Sequence, residues 1–284
     1  MLPKHYESEN LYSEIRETAL DYFRQNGIRW HMLNHLCSSQ VCCVNFLFPF
    51  MDKPEALAAL LRPLFPSLKR MLPLETPQQF VAFEWIGNDN YLREKIRRSV
   101  KRTRGANFTS ADAMVMFEGQ DKLRQLVLIE WKYSESYGGF SKKISARGTD
   151  RSQIYAHLFE REDCPLKKSA EWQFADLFYE PFYQFMRQQF LAHEMELAKE
   201  FRADKVSLLH IAPACNSDFR KVTSPALQPL GASVIDVWKR LVKTPDRFGS
   251  ISTEKMFGQF PAVQFPELAG WWQYLQQRYS WAVG

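Results

Sequence analysis

Apolar residues recur along the chain with two different periods. Near the start, "LYSEIRETALDYFRQNG" places Tyr12, Ile15, Ala19, Tyr22 and Phe23 on one stripe with Gly27 beyond its end, the pattern of an amphipathic helix. "SSQVCCVNFLFPF" is a second helical region, begun by Ser caps and stopped at Pro49. "MDKPEALAALLRPLF" is a short third helix, opened by Asp52 and a proline and ended near Pro63. The period then changes to two. "QFVAFEWIG" predicts a strand with Val81, Phe83 and Trp85 on one face and Ala82, Glu84 and Ile86 on the other. Within "TSADAMVMFEGQDKLRQLVLIEWKYSES", Thr109 to Ser136, two apolar runs read as paired strands joined by the turn "EGQDK".

A long helical region follows from Glu171 to about Ala203, with Pro181 as a break or a first-turn residue. Its stripe of Phe182, Met186, Phe190, His193, Leu197 and Phe201 makes His193 a core-edge residue, and Gln184, Arg187 and Gln188 form a polar group opposite. "KVSLLHIAP" is a buried strand. The tail holds a helix with Val234, Val237, Trp238, Leu241 and Val242 in phase, then an aromatic helix, "LAGWWQYLQQRYSWAV". The order is helices, three strands, a long helix, one strand, helices. It predicts an α/β fold, an α+β mixed sheet in which a three-stranded antiparallel meander is joined by a fourth strand after a helical crossover. A chain of 284 residues fits one domain, with a helical part at 1–75, a core at 76–215 and a second helical part at 216–284.

Charged residues interrupt the strand runs. Glu130 and Lys132 share a face with Leu126 and Leu128, while Val127, Ile129, Trp131 and Tyr133 point the other way. Asp112 sits in the preceding strand and Glu84 in the one before it. A surface ion pair at a sheet edge is one explanation of Glu130 and Lys132. A functional one fits the setting better, because four large apolar residues precede Glu130 and aromatic residues flank Lys132, as in a strand covered on both faces.

Overall charge adds a second clue once it is located. The chain has 37 basic and 32 acidic residues, net +5, and "REKIRRSVKRTRG", Arg93 to Gly105, alone holds seven Lys or Arg against one Glu. This run immediately precedes the strand of Asp112. A second basic loop, "SKKISARGTDR", Ser141 to Arg151, comes just after Lys132. Such runs are commonly solvated faces; bracketing the charged strands, they also suit phosphate. No apolar run is long enough to span a bilayer and no basic-then-apolar leader opens the chain, so a cytoplasmic location is expected. Cys37, Cys42, Cys43, Cys164 and Cys215 lack paired spacing and read as free thiols. His31 and His35 near Cys37, Cys42 and Cys43 raise a zinc site, but no partner pair recurs elsewhere and a packed helix explains them more simply.

Asp112 on one strand, then Glu130-Trp131-Lys132 on the next, within an α-β-β-β-α-β order, resembles the core of the PD-(D/E)XK nuclease superfamily, the restriction-endonuclease-like fold. "RGANFTSAD" leading into "LIEWKYSESY" looks more narrowly like a restriction-endonuclease-like family within it. Ala111 stands where the name-giving proline would be. The resemblance covers roughly Gln79 to Pro213 and implies a Mg²⁺-dependent DNA endonuclease, with Mn²⁺ as an alternative ion, of restriction or defence type. A repair or recombination nuclease, or a binding protein that kept the fold without cleavage, are the competing readings.

Phosphodiester hydrolysis gives those residue types a reason of its own. A divalent metal lowers the pKa of the attacking water and neutralises developing charge, and magnesium takes a few carboxylate oxygens while keeping waters. Asp112 and Glu130 on neighbouring strands can converge on one ion, and the resemblance implies the Trp131 carbonyl as a further ligand. Lys132 then orients or helps deprotonate the water. Glu84 is either an additional metal-site acid or an acid paired with an arginine. Arg97, Arg98, Lys101, Arg102, Arg104, Asn107 and Ser110 before and at the Asp112 strand, and Lys142, Lys143, Arg151 and Gln153 after Lys132, are the candidate DNA-binding residues. Double-stranded DNA is the expected partner. Two strands need two cuts, which raises a homodimer, although no segment reads as a dimer seam.

Overall fold

The computed structural model describes residues 1–94, 102–106 and 108–283. Three helices come first: α1 (Arg16–Gln25), α2 (Ser39–Leu47) and α3 (Pro54–Leu61). Ser38 caps α2 by accepting a hydrogen bond from the Val41 N–H at 3.4 Å, and Pro54 opens α3 at a position where its missing N–H goes unused. There follow β1 (Leu68–Leu72), β2 (Val81–Trp85), β3 (Ala111–Gly119), β4 (Arg124–Trp131), α4 (Ser152–Phe159), α5 (Phe182–Leu197) and β5 (Lys205–Ala212). The chain closes with α6 (Val234–Leu241), β6 (Phe248–Ser252), α7 (Thr253–Gly258), α8 (Ala269–Arg278) and α9 (Ser280–Val283).

Among the described residues the strands form one six-stranded mixed sheet, ordered β1-β3-β4-β5-β6, with β2 also on β3. β1 pairs with the C-terminal end of β3 and β2 with its N-terminal end, so the two lie end to end along one side of it. β3 and β4 are antiparallel, as a short turn allows, whereas β5 runs parallel to β4 and β6 parallel to β5 after helical crossovers. The fold is therefore the mixed α/β sheet flanked by helices that the sequence predicts, with two further strands. β1 and β6 escape a pattern search for a physical reason: each is a sheet-edge strand that buries only two of its residues, Leu68 and Met71 in "LKRML" and Phe248 and Ile251 in "FGSIS".

Helices cover both faces of the sheet. On one side Ala113, Val115, Val127, Ile129 and Trp131 pack with α2, α3, α7 and α8 through Phe46, Leu57, Phe257 and Trp271. On the other, Met114, Met116, Leu126 and Leu128 meet α5 and α6 through Phe182, Phe185, Met186 and Trp238. The alternation along β4 is as predicted. Trp85 is a correction: it packs with Ala82, not with Val81 and Phe83. Glu84 between them has φ +51°, a left-handed backbone rare for a side chain of this kind, and this breaks the simple alternation. The long helix is also shorter than the pattern suggests, starting after Pro181 and ending at Leu197, which is exposed instead of buried. α4, inside "DRSQIYAHLF", is a helix that the pattern reading leaves without an element.

Two arginines of the basic run hold the sheet edge together. Arg104, 11% exposed, donates from Nε to the Phe83 carbonyl at 2.9 Å, from Nη1 to Glu75 at 2.6 Å and from Nη2 to the Tyr22 hydroxyl at 3.0 Å, joining β2, the loop before it and α1. Its neighbour Gly105 has φ +69°, and a Cβ there would stand 2.6 Å from the Arg29 carbonyl, so only glycine lets this segment dock. Arg102 donates to the carbonyls of Ile86, Gly87 and Asn88. Arg104→Met leaves Glu75 with the Tyr22 hydroxyl but without its cation, and is expected to lower unfolding free energy by about 2–4 kcal/mol. Arg220→Met at an exposed position should change it by less than about 0.5 kcal/mol. Urea denaturation of both variants measures the difference, and equal stabilities would show that Arg104 is not a structural pin.

Candidate active site

β3 and β4 bring the charged residues to one place. In the antiparallel register Ala113 lies opposite Ile129, which sets Asp112 and Glu130 side by side at the next step, on the face that carries Met114 and Leu128. Asp112 Oδ2 accepts the Trp131 N–H at 2.7 Å. Lys132 Nζ forms an ion pair with Glu130 Oε1, and each of these two residues is only 6% exposed. β4 pairs with β5, and just past its end the Lys132 N–H donates to the Ile211 carbonyl at 2.8 Å. Glu84 from β2 is the fourth charge, 3% exposed, accepting from Gln40 Nε2 at 2.7 Å and from the Ser110 hydroxyl at 2.8 Å. All four line one cavity of about 270 Å³. The sequence separates Glu84 from Asp112; the β2–β3 pairing joins them.

The electrostatics of this cavity are those of acids crowded together. Burial pushes the Asp112 carboxyl well above the usual carboxylate range, Glu130 pushes it further, and Glu84 adds to this against Lys132 and the Trp131 N–H. Burial likewise raises Glu84, opposed by its hydrogen bonds from Gln40 and Ser110. Burial disfavours the Lys132 ammonium, yet Glu130, Tyr137 and Asp112 outweigh it and hold its pKa well above that of a free lysine. Lys132 therefore carries its proton. Glu135 also lines the cavity, so the Lys132 ammonium stands among four carboxyl groups.

Neutral side chains hold the cluster in place. Gln188 on α5 donates to Glu130 Oε2 and reaches the Ser110 carbonyl at 3.3 Å. Gln40, at the start of α2, anchors itself on Arg29 and His31 while donating to Glu84. In the sequence Gln188 shows only as one of a polar group facing away from an apolar stripe, and Gln40 has no signal beyond its place after two serines. Trp131 is wholly buried against Phe46 and Phe257 and does not line the cavity, and because its indole has no lone pair for a cation only its backbone carbonyl could serve as a ligand. The donors gathered here are oxygens, the kind a hard cation takes. Among the described residues, no three His, Cys, Asp or Glu side chains stand grouped as a ready-made metal site.

The candidate DNA-binding residues divide into groups. Ser110 lines the acid cavity. Lys142 and Arg151 line an adjoining cavity of about 560 Å³, and Arg151 Nη1 donates to the Lys142 carbonyl at 2.8 Å. Lys143 stands 3.9 Å from Asp150, and Gln153 is exposed on α4 outside both cavities. Arg102 and Arg104 direct their guanidinium groups to the protein's own carbonyls and to Glu75, which leaves them poorly placed to meet a phosphate. Arg97, Arg98, Lys101 and Asn107 lie outside the described residues. All five cysteines are free, with Cys42 and Cys43 buried in α2 as core residues.

Among the described residues no helix is long and apolar enough to cross a membrane. No curated protein and no solved structure matches the chain. A family model does, over residues 1–280, nearly the full length. Its description is restriction endonuclease associating with ARP, and it is to this family that the chain belongs.

Proposed function

We propose that the protein is a divalent-metal-dependent DNA endonuclease of restriction or defence type, built on a PD-(D/E)XK core, with Asp112, Glu130 and Lys132 as its catalytic set. One observation carries this reading: three carboxyl groups and one lysine, drawn from three strands, share a single cavity at the end of a buried sheet. The family description supports the nuclease class, and through it DNA, expected to be double-stranded, as the substrate. A location in the cytoplasm, where DNA is at hand, belongs to the same reading.

The donor set fits magnesium or manganese. Magnesium is commonly held by one or two carboxylates with waters completing its shell, so Asp112, Glu130 and the Trp131 carbonyl are a sufficient protein contribution, with Glu84 close behind them. When bound, the ion supplies an activated water and neutralises charge on the phosphate. The protein's own residues do the rest. Lys132, kept protonated by Glu130, presents a fixed positive charge to the developing phosphorane oxygens. Gln188 fixes the Glu130 carboxylate from the helix side, so the ion pair keeps one geometry. Glu84, tied to Gln40 and Ser110, is held as a further carboxyl group in the cavity wall.

Incubating plasmid with the purified protein and magnesium, beside a chelated control, tests the reading directly, and nicked or linear products only with metal are expected. Asp112→Asn and Glu130→Gln should lower the cleavage rate by roughly 100-fold or more while DNA binding persists. Lys132→Met should do so by about 100- to 1,000-fold with metal binding nearly intact. Full cleavage by folded Lys132→Met would sink the mechanism. If the Glu130–Lys132 pair were only structural, its loss would instead cost about 3–5 kcal/mol of stability, with activity following the folded fraction.

Glu84→Gln is expected to raise the magnesium concentration needed for half-maximal cleavage. A collapse in melting temperature with no change in the metal requirement would give Glu84 a purely structural role. For the basic run, Arg97→Gln and Arg98→Gln together should weaken DNA binding on all sequences alike. The log–log salt slope should fall by roughly 0.9 for each phosphate that is no longer neutralised, and an unchanged slope would mean that neither residue meets DNA.

A further inference from the structure

The cavity of about 560 Å³ beside the acid cluster shares His31, Phe108, Ser110 and Arg187 with it. Its volume falls in the range of small-molecule sites, about 300–1,000 Å³. Its neighbour sets four carboxyl groups against Lys132 and Arg187, whereas here three cations, Lys142, Arg151 and Arg187, face only Glu94 and Glu180. Arg187, on α5, stands on the boundary between the two. Its guanidinium lies 4.6 Å from the Tyr183 ring centre, and Nη1 reaches Thr109 Oγ1 at a long 3.4 Å. Nε is buried with no partner among the described residues. Glu94 does not absorb this donor capacity, because its carboxylate already accepts from the Thr109 N–H, the Thr109 hydroxyl and the Tyr155 hydroxyl.

Glu180 lines the same cavity, near enough for its charge to act on Arg187, and its Oε2 is also buried with no hydrogen-bond partner among the described residues. Native proteins rarely leave a buried guanidinium donor and a buried carboxyl oxygen both unmatched unless something else matches them. A ligand that completes both would offer anionic acceptors to Arg187 and a donor to Glu180. An ionised phosphodiester has only the first. A nucleotide has both, with phosphate oxygens at one end and N–H or O–H donors on base and sugar at the other, and half-buried Phe108 offers a ring for the base.

We propose that this cavity takes one nucleotide of the bound strand, adjacent to the phosphodiester at the acid cluster, with phosphate on Arg187, Arg151 and Lys142 and a base or sugar donor on Glu180. The strand itself follows from the nuclease reading; the nucleotide-sized subsite goes beyond it. It makes cleavage depend on a nucleotide that can turn into the cavity, and so adds a determinant of specificity separate from the cutting residues.

The test titrates the full chain, in chelator and without DNA, with deoxyadenosine and thymidine 5′-monophosphates, the same two nucleosides, and inorganic phosphate, by ligand-observed NMR. The monophosphates should bind at least roughly tenfold more tightly than nucleoside or inorganic phosphate. Arg151→Gln and Arg187→Gln should each reduce that affinity by roughly tenfold. Glu180→Gln should weaken the monophosphates and leave inorganic phosphate unchanged. Arg151 lies nearer the surface than Arg187, so its variant carries the test if Arg187→Gln fails to fold. Monophosphates binding no better than nucleosides, or unaltered affinity in the folded Arg151→Gln variant, would overturn the proposal. Plasmid cleavage is assayed on the same preparation. Cleavage without nucleotide binding rejects the subsite alone, whereas nucleotide binding without metal-dependent cleavage rejects the endonuclease reading and keeps the subsite.

Discussion

A carboxylate and an ammonium two residues apart on a strand covered on both faces are the constraint around which this protein is arranged. Charges so buried carry a desolvation penalty of several kcal/mol each, offset only when geometry and hydrogen bonding are close to complete. Glu130 and Lys132 meet that condition through each other, through Gln188 on the crossing helix and through the backbone bond from Lys132 to β5. The sheet must be mixed for this to work. An antiparallel neighbour, β3, supplies Asp112, and the parallel neighbour β5, reached by a crossover, places α5 over the same face so that Gln188 and Arg187 arrive from above.

Completing the site from β2 requires local strain. Glu84 takes a left-handed backbone that non-glycine residues avoid, and its carboxyl is held by Gln40 and Ser110 from two other segments. Strain of order 1–3 kcal/mol is usually retained where the surroundings over-determine it, as at a site of chemistry. Arg104, Arg102 and Gly105 fix the edge against which this strand bends. Part of the basic run is thus structural cement.

Two cavities of opposite character result, side by side and divided by Arg187. The acid one is small, about 270 Å³, and burial together with the neighbouring carboxyl groups raises the affinity of Asp112 and Glu84 for protons. The basic one is twice as large and leaves hydrogen-bonding capacity unused. A polyanionic strand gripped by the second would carry a phosphodiester towards the first, where a cation relieves the crowding. On the proposed function, steering and chemistry would be separated by one side chain.

The sequence by itself determined the central strands, the order of helices around them and the trio Asp112, Glu130 and Lys132, because alternation and charge on an apolar face are local properties written in consecutive residues. It also located the basic segments on either side. It did not show β1 and β6, whose edge positions bury too little to leave a pattern, nor the early end of α5 at Leu197, which keeps the helical spacing although it is exposed. Only tertiary structure decided which polar residues join the site. Gln40 lies 44 residues before Glu84, and Gln188 lies 58 residues after Glu130, yet each is bonded to its acid. The same holds for Arg104, a cation in a basic run by sequence and a buried clamp by structure. A side chain's type states what it can bond, but which partner lies within reach is set by the packing of distant segments, and no local pattern records it.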